Sequence, residues 1–217
     1  MTLKHILTTL LILIVALFTS NTNSNSNSNT TNNDCIYIKG GGFSGFWYYY
    51  GYLQKNNMHN KTIYCCSSGC VAYVASIKYT NEKYLYELAL ANRLELDHNN
   101  ITKYELKERF ISIIATNIST IQNYNLNILT TNYAGQCIIK KPATISELIV
   151  ALDETTNIPL ITTKLNFSKN FDGGMCIRFI NKCANTITLP YDYKIYSNIF
   201  NIYLSYEDIT YFLNYNL

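Results

Sequence analysis

The sequence CIYIKGGGFSG at Cys35–Gly45 joins an apolar run to a cluster of glycines, and an aromatic-rich segment, Phe46–Gln54, follows it. This pattern predicts a buried strand, a turn with unusual backbone angles, and then a helix. The first amides of a helix have no acceptor within the helix and lie at the positive end of its dipole. The glycine turn is therefore expected to stabilise negative charge.

Composition limits the classes of function that fit the chain. It has 217 residues, of which 14% are charged, and a formal net charge of +3. This length accommodates one domain with a core of its own. Because charges are few and no basic run occurs, nucleic acid is not expected to be the main partner. The seven cysteines form no CxxC pair and no metal-ligand spacing, so the sequence indicates no metal site and nominates no disulfide pair.

The N-terminal segment Met1–Ser20 has the composition of a secretory signal, because Lys4 and His5 precede an apolar run that is too short for a spanning helix. No small-x-small pattern closes that run, so an uncleaved signal anchor is the alternative. Residues 21–33 form an Asn/Ser/Thr tract, which predicts a disordered linker. The folded domain is expected to span 34–217 in a protein that is secreted or anchored to a membrane through the hydrophobic segment.

Strand-like and helix-like segments alternate along the domain, which favours an α/β fold with a mainly parallel sheet between helices. The predicted strands are Cys35–Ile38, Thr62–Cys66, Leu126–Asn132, Gln136–Ile139, Ile158–Thr162, Cys176–Ile180, Thr186–Leu189 and Asn201–Leu204. The predicted helices are Phe46–Lys55, Cys70–Ile77, Asn81–Leu94, Thr102–Asn123, Thr144–Asp153 and Glu207–Asn214.

Three functions compete for the glycine segment Gly40–Gly45. It matches the dinucleotide fingerprint G-x-G-x-x-G, but that site also needs an acidic residue about twenty positions further on. His59–Cys70 contains no Asp or Glu. A phosphate-binding P-loop is excluded because no Gly-Lys-Ser/Thr follows. The third function is an oxyanion hole, in which backbone amides stabilise the charge that develops on a carbonyl oxygen during acyl transfer.

An acyl-transfer site needs a nucleophile, and Ser67 is the candidate. It lies at the centre of the sequence CCSSG, Cys65–Gly69, between a β-branched strand and a helix of small residues. This is the layout of the nucleophile elbow G-x-S-x-G, with Cys65 in place of the first glycine. The competing interpretation is that Ser67 is an ordinary helix N-cap.

A serine nucleophile also needs a base. His59 and His98 are the only histidines outside the N-terminal segment, and both lie in polar segments that are typical of solvated positions. The alternative base is Asp172, which two glycines follow in a constrained turn. An ordinary Asp-Gly turn or a helix cap is the competing interpretation of that sequence.

Taken together, the motifs resemble the patatin-like phospholipase family. The glycine segment Gly40–Gly45, the serine Ser67 and the turn Asp172–Gly174 occur in the order and approximate spacing of that family. The segment Glu147–Leu160 is similar as well, so the resemblance covers roughly Cys35–Met175. It implies the three-layer patatin-like fold, in which helices cover both faces of a mainly parallel sheet.

The resemblance also implies roles for individual residues. Ser67 would be the nucleophile and Asp172 the base of a Ser-Asp dyad, which needs no histidine. The oxyanion hole would consist of the amides of Gly40, Gly41 and Gly42. The glycines that complete the motifs are Gly45, Gly69, Gly173 and Gly174.

The family hydrolyses acyl esters of phospholipids or neutral glycerolipids through an acyl-enzyme, and the scheme needs no metal or cofactor. The expected substrate is therefore lipid of a membrane or a lipid droplet, and the aromatic helix at Phe46–Leu53 would line the acyl pocket or belong to the core. Two positions depart from the family, since many members carry Arg at the position of Ser44 and Cys65 replaces a glycine. A catalytically impaired member that binds lipid or a partner is the alternative.

Overall fold

The computed structural model describes residues 32–58, 60–98, 100–116, 118, 124–159, 161–162, 169–176 and 183–215. The predicted signal segment, nearly all of the predicted linker and His59 lie outside these residues, as does the predicted strand Cys176–Ile180 after its first residue. Within the described ranges, none of the helices is both long enough and apolar enough to cross a membrane.

In the described part of the chain, six strands and seven helices form an α/β fold with one mixed sheet. The strands are β1 (Asn32–Ile38), β2 (Thr62–Cys65), β3 (Leu126–Thr131), β4 (Cys137–Lys140), β5 (Phe171–Asp172) and β6 (Cys183–Ile187). The helices are α1 (Gly42–Lys55), α2 (Ser67–Lys78), α3 (Glu82–Asp97), α4 (Lys103–Thr116), α5 (Ile145–Thr155), α6 (Tyr193–Ser197) and α7 (Tyr206–Asn214). A short 3-10 turn, Gly173–Met175, follows β5.

The sheet has the strand order β4-β3-β2-β1-β6. The pairs β3–β2, β2–β1 and β1–β6 are parallel, whereas β4 and β5 run antiparallel to β3. The expected mainly parallel sheet is thus confirmed for the four strands in a row, and the hairpin of β3 and β4 closes around the Ala134–Gly135 turn as predicted.

Strand β5 extends the sheet on the edge of β3 that β2 also uses. Thr130 of β3 pairs with Ile138 of β4 on one edge, so its pairing with Asp172 of β5 must use the other edge. Strand β2 occupies that edge only as far as Ile128, which pairs with Cys65. The last residue of β5, Asp172, therefore lies next to the end of β2, at the start of the helix that follows β2.

The core is built around the central strands. All six residues of β3 are buried, and Ile38, Ile63 and Ile128 on adjacent strands are completely shielded from solvent. Strands that are covered on both faces are typical of parallel sheets with helical crossovers. Helix α1 packs against α2 and α7, and its Tyr49 and Tyr50 are fully buried. The aromatic helix therefore contributes mainly to the core.

Three disulfides cross-link the described chain, and they join Cys35 to Cys183, Cys65 to Cys70, and Cys137 to Cys176. The remaining cysteine, Cys66, is buried and free. The first disulfide connects β1 with β6, which are neighbours in the sheet although far apart in sequence. A disulfide between neighbouring strands depends on the strand order, so the spacing of the cysteines in the sequence does not predict it.

Several element boundaries differ from the expectations. Strand β1 begins at Asn32, inside the predicted linker, because Asn32 pairs with Cys183 of β6. Helix α1 begins at Gly42 rather than Phe46, and α2 begins at Ser67 rather than Cys70. The last glycine of the triplet and the candidate serine are thus the first residues of their helices.

Two predicted strands are wrong. At Ile158–Thr162, the amides of Ile161 and Thr162 both donate to the carbonyl of Ile158, so the segment is a turn. At Asn201–Leu204, the side-chain oxygen of Asn201 accepts a hydrogen bond from the amide of Tyr203, which bends the chain locally instead of extending it. Helix α6 was not predicted, and Asp192 caps it through the amide of Ile195.

Close packing of α2 on β1 requires a glycine at residue 69. A Cβ atom at Gly69 would clash with the carbonyl oxygen of Lys39 and would lie 2.9 Å from Cγ2 of Ile38. We expect Gly69→Ala to lower the free energy of unfolding by about 1–3 kcal/mol, since overpacking displaces the helix. Chemical denaturation measures this change.

Gly45→Ala in α1 is the matched control, because a Cβ atom there would approach only side-chain atoms, at 3.4 Å or more. We expect this variant to be neutral or to gain up to about 1 kcal/mol from its higher helix propensity. Equal losses of stability in the two variants would contradict the packing described for α2.

Candidate active site

Ser67 lies at a sharp turn between β2 and α2. Its φ angle is +51°, a left-handed value that is uncommon for residues other than glycine and that costs free energy. The amide of Ser67 donates to Oγ1 of Thr155 at 2.9 Å, and the same hydroxyl donates to the carbonyl of Leu129 at 2.6 Å. The end of α5 thus holds the serine backbone in its unfavourable conformation.

A disulfide closes the same turn. Cys65, the last residue of β2, is bonded to Cys70 in the first turns of α2, and both side chains are fully buried. The bond encloses Ser67 in a short covalent loop. Cys65, which replaces the first glycine of the elbow motif, therefore forms a disulfide. The motif alone does not predict this bond.

Ser44, the second departure from the family pattern, is also explained by local packing. Its side chain is fully buried, and its hydroxyl donates to the carbonyl of Ile195 in α6 at 2.7 Å. The position joins α1 to α6 and has no contact with solvent. An arginine there would bring a charge into this buried contact.

Asp172 is completely buried at the end of β5. Its Oδ1 accepts a hydrogen bond from the amide of Gly174 at 2.7 Å, and its backbone carbonyl accepts one from the hydroxyl of Thr131 at 2.9 Å. Burial raises the pKa of the Asp172 carboxyl to about 6, although the Ser67 hydroxyl, the Gly174 amide and the charge of Lys107 each lower it. The group is therefore a carboxyl that changes its charge close to neutral pH.

The Ser67 hydroxyl and the Asp172 carboxyl are neighbours across the strand ends. The hydroxyl is near enough to lower the pKa of the carboxyl by hydrogen bonding. The two groups form no well-aligned hydrogen bond, and the buried Oδ2 of Asp172 has no partner within the described residues. The two side chains are therefore adjacent but loosely aligned.

The glycine segment lies directly against the serine. A Cβ atom at Gly40 would lie only 2.7 Å from Cβ of Ser67, so no larger residue fits this approach. The amide of Gly41 donates to Oγ of Ser68 at 2.9 Å and is therefore occupied. Gly42 has a φ of +61° and begins α1.

Two backbone amides near Ser67 are available to a ligand. Within the described ranges, the amides of Gly42 and Ser68 donate to no acceptor. Both belong to the first residues of helices, where amides lack intrahelical partners and the helix dipole favours negative charge. The sequence suggested Gly42 for this role but missed Ser68, whose position after the candidate nucleophile was the available signal.

A cavity of about 480 Å³ opens beside Ser67, Ser68 and Gly42. Its volume lies within the range of roughly 300–1,000 Å³ that ligand sites occupy. The walls are mostly apolar and come from α1, α2, α3, α4 and the loop before α7. Examples are Phe46, Trp47, Val71, Phe110 and Ile199. Phe46 and Trp47 thus belong both to the core and to the cavity wall.

The charged residues on the cavity wall are Arg93, Lys103 and Lys107. Lys107 forms an ion pair with Asp153 at 2.7 Å, and a second cation, Lys169, also contacts that carboxylate. Burial lowers the pKa of Lys107, and the pairing with Asp153 opposes this change. Lys107 is thus already engaged by a carboxylate that it shares with Lys169.

The other candidate residues have ordinary surroundings. His98 is exposed at the C-terminal end of α3. Gly45 lies beside Leu189, Gly69 against β1, and Gly173 against the carbonyl of Leu129, where a Cβ atom would not fit. In the parts of the chain that the structure describes, no group of three His, Cys, Asp or Glu side chains could hold a metal ion.

The buried carboxyl of Asp172 is expected to reduce stability at neutral pH. Because its folded-state pKa of about 6 lies above the ordinary value of 3.8, the folded protein resists its ionisation. Ionisation of Asp172 therefore does not lower the free energy of unfolding below about pH 4, and it lowers it fully above about pH 6. A difference of about two pKa units corresponds to roughly 3 kcal/mol. Asp172→Asn removes this cost and keeps an acceptor for the Gly174 amide.

We therefore expect Asp172→Asn to be more stable than the unmodified protein at about pH 8, and the advantage to shrink towards about pH 4. Thermal or chemical unfolding at the two pH values measures the difference. The exposed substitution Glu87→Gln on α3 serves as the control, with no such pH-dependent gain. A loss of stability in Asp172→Asn that is equal at both pH values would contradict the raised pKa.

Comparison of the chain with protein-family models, curated proteins and solved structures found no match.

Proposed function

We propose that this protein is a lipid acyl ester hydrolase, of the phospholipase A or glycerolipid lipase type, with a patatin-like three-layer arrangement of helices about its sheet. The observation that supports this proposal best is the position of Ser67. It has a left-handed backbone, lies on the wall of an apolar cavity and neighbours the buried carboxyl of Asp172. A strained serine beside a base and an apolar pocket is the arrangement that nucleophilic acyl transfer needs.

In the proposed first step, Oγ of Ser67 attacks the ester carbonyl and its proton passes to Asp172. The carbonyl oxygen becomes an oxyanion, which accepts hydrogen bonds from the amides of Gly42 and Ser68. The tetrahedral intermediate then collapses, the bond to the alcohol breaks, and Asp172 returns the proton to the departing oxygen. The products of this step are the free alcohol and an acyl ester of Ser67.

In the second step, water attacks the acyl ester of Ser67 while Asp172 accepts a proton from it. The second oxyanion forms at the same amides, and its collapse releases the fatty acid and regenerates the serine hydroxyl. No metal or cofactor takes part. The pKa of about 6 suits Asp172 to this exchange, because it is ionised at neutral pH yet close enough to that pH to return the proton.

The substrate under this proposal is lipid of a membrane or of a lipid droplet. The apolar walls and the volume of about 480 Å³ suit an acyl chain, which gains free energy when it leaves water. The N-terminal hydrophobic segment favours a secreted or membrane-anchored protein, in which the cavity would meet lipid at an interface.

A second candidate function is a catalytically impaired protein on the same scaffold, which binds lipid or a partner without hydrolysis. Two observations favour it. Oδ2 of Asp172 has no hydrogen-bond partner among the described residues, and the hydroxyl of Ser68 occupies the amide of Gly41. Under this alternative, Ser67 and Asp172 keep their positions but do not exchange a proton.

Labelling with a fluorophosphonate separates the two functions, because this probe reacts with activated serines. We expect one label per chain at Ser67, located by mass spectrometry of peptides, and no label in Ser67→Ala. Ser76→Ala is the matched control on the same helix, since its hydroxyl only bonds the carbonyl of Tyr73. Folded protein that takes up no label would support the impaired alternative.

The rate of ester hydrolysis should follow the ionisation of Asp172. Since only the carboxylate can accept the serine proton, we expect the rate with a short-chain activated ester to rise with pH, to be half-maximal near about pH 6, and then to level off. Asp172→Asn should lower the plateau by about 10²–10⁴-fold. A rate that is independent of pH between about 5 and 8 would exclude Asp172 as the base.

A further inference from the structure

The charged side chains that line the cavity beside Ser67 are all basic within the described residues. Three basic side chains line it, and no Asp or Glu does so within the described residues. The ion pair with Asp153 neutralises Lys107, and Lys103 lies at the start of α4 over the ring of Tyr104. The third basic residue of the cavity wall is Arg93, near the C-terminal end of α3.

Arg93 has hydrogen-bonding capacity that the protein does not use. Its Nη1 donates to the carbonyl of Leu204 at a long 3.4 Å, while its Nε is buried and has no acceptor within the described chain. The described carboxylates all lie more than 4.0 Å from its guanidinium nitrogens. Buried donors without an acceptor are rare in folded proteins, and each calls for a specific explanation.

The guanidinium is held in place despite its missing acceptor. Its Cζ atom lies 5.6 Å from the centre of the Tyr203 ring, at a distance suited to a cation–π contact. Asp97, one helical turn further along α3, is near enough to the hydroxyl of Tyr203 to raise the pKa of that phenol. Asp97 therefore acts on the Tyr203 ring, and no described carboxylate forms an ion pair with the guanidinium.

We propose that Arg93 binds the anionic head group of a lipid whose hydrocarbon chain occupies the apolar cavity. A planar guanidinium with free donors matches the oxygens of a carboxylate or a phosphate better than any neutral group. This inference rests on the proposed function, because it gives the substrate class of the same cavity. It assigns to that cavity an acyl ester of an anionic lipid, with a carboxylate or phosphate head group, rather than a neutral glyceride.

The test measures binding of a dansyl-labelled undecanoic acid and of its uncharged methyl ester to the full chain by fluorescence. All variants carry Ser67→Ala, so that the ester is not hydrolysed. We expect Arg93→Gln to weaken binding of the acid by about tenfold and to change binding of the ester by less than about twofold. Lys83→Gln, an exposed cation on the same helix, should change neither.

Arg93→Lys and the salt dependence of binding separate recognition from folding. The lysine keeps the charge but lacks the planar fork, so its affinity for the acid should fall between those of the other two proteins. Added salt should weaken binding of the acid and leave binding of the ester unchanged, even if Arg93→Gln does not fold. Equal losses for acid and ester in both Arg93 variants, or no loss, would overturn the proposal.

Displacement of the probe identifies the source of the anion. Dodecanoate and dodecyl phosphate, each below its micelle concentration, compete with the dansyl acid, and the competitor that loses more affinity in Arg93→Gln carries the preferred head group. Fluorophosphonate labelling of Ser67 in the otherwise unmodified chain keeps the two proposals distinct. If Ser67 is labelled but the protein does not discriminate between acid and ester, only the head-group proposal is contradicted. If the protein discriminates between acid and ester but Ser67 is not labelled, only the hydrolase proposal is contradicted.

Discussion

The candidate site depends on the antiparallel pairing of two residues, Phe171 and Asp172, with the end of β3. This pairing uses the edge of β3 that β2 leaves at Cys65, so a carboxyl from far along the chain comes to lie beside the first residue of α2. The hydroxyl of Thr131 reinforces the pairing by donating to the backbone of Asp172. Without this two-residue strand, the carboxyl of Asp172 would not be held beside Ser67.

Two features of the same region are energetically unfavourable, and the rest of the fold must stabilise them. Ser67 has a left-handed backbone, and Asp172 is a buried carboxyl with one oxygen that has no partner in the described part of the chain. Strained backbones and buried charges persist only where their surroundings hold them, and they occur frequently at functional sites. Here Thr155 binds the Ser67 amide, and the disulfide of Cys65 closes the turn.

Much of the fold follows from local sequence patterns. The apolar runs predict β1, β2 and β3, and the spacing of Thr144 and Glu147 is that of a capping box at the start of α5, where the Thr144 side chain accepts from the amide of Glu147. The segments at Ile158–Thr162 and Asn201–Leu204 were predicted as strands because they are apolar or alternating. They form turns because hydrogen bonds from nearby polar groups outweigh that tendency.

The candidate site could be predicted only in part. The structure brings Ser67, Asp172 and Gly40 together, and all three belong to motifs that are visible in the sequence. The roles of Thr155 and of the Ser68 hydroxyl depend on contacts between elements that lie far apart along the chain. Such contacts arise from strand order and helix packing, so no spacing of residues in the sequence indicates them.

The central claim is that the hydroxyl of Ser67 lies near enough to the carboxyl of Asp172 to stabilise its charged form. Infrared titration of the carboxyl, assigned by its absence in Asp172→Asn, tests this interaction directly. The account predicts a pKa of about 6 that rises further in Ser67→Ala, because the hydroxyl that stabilises the carboxylate is lost. A pKa that is the same with and without the serine hydroxyl would contradict the interaction.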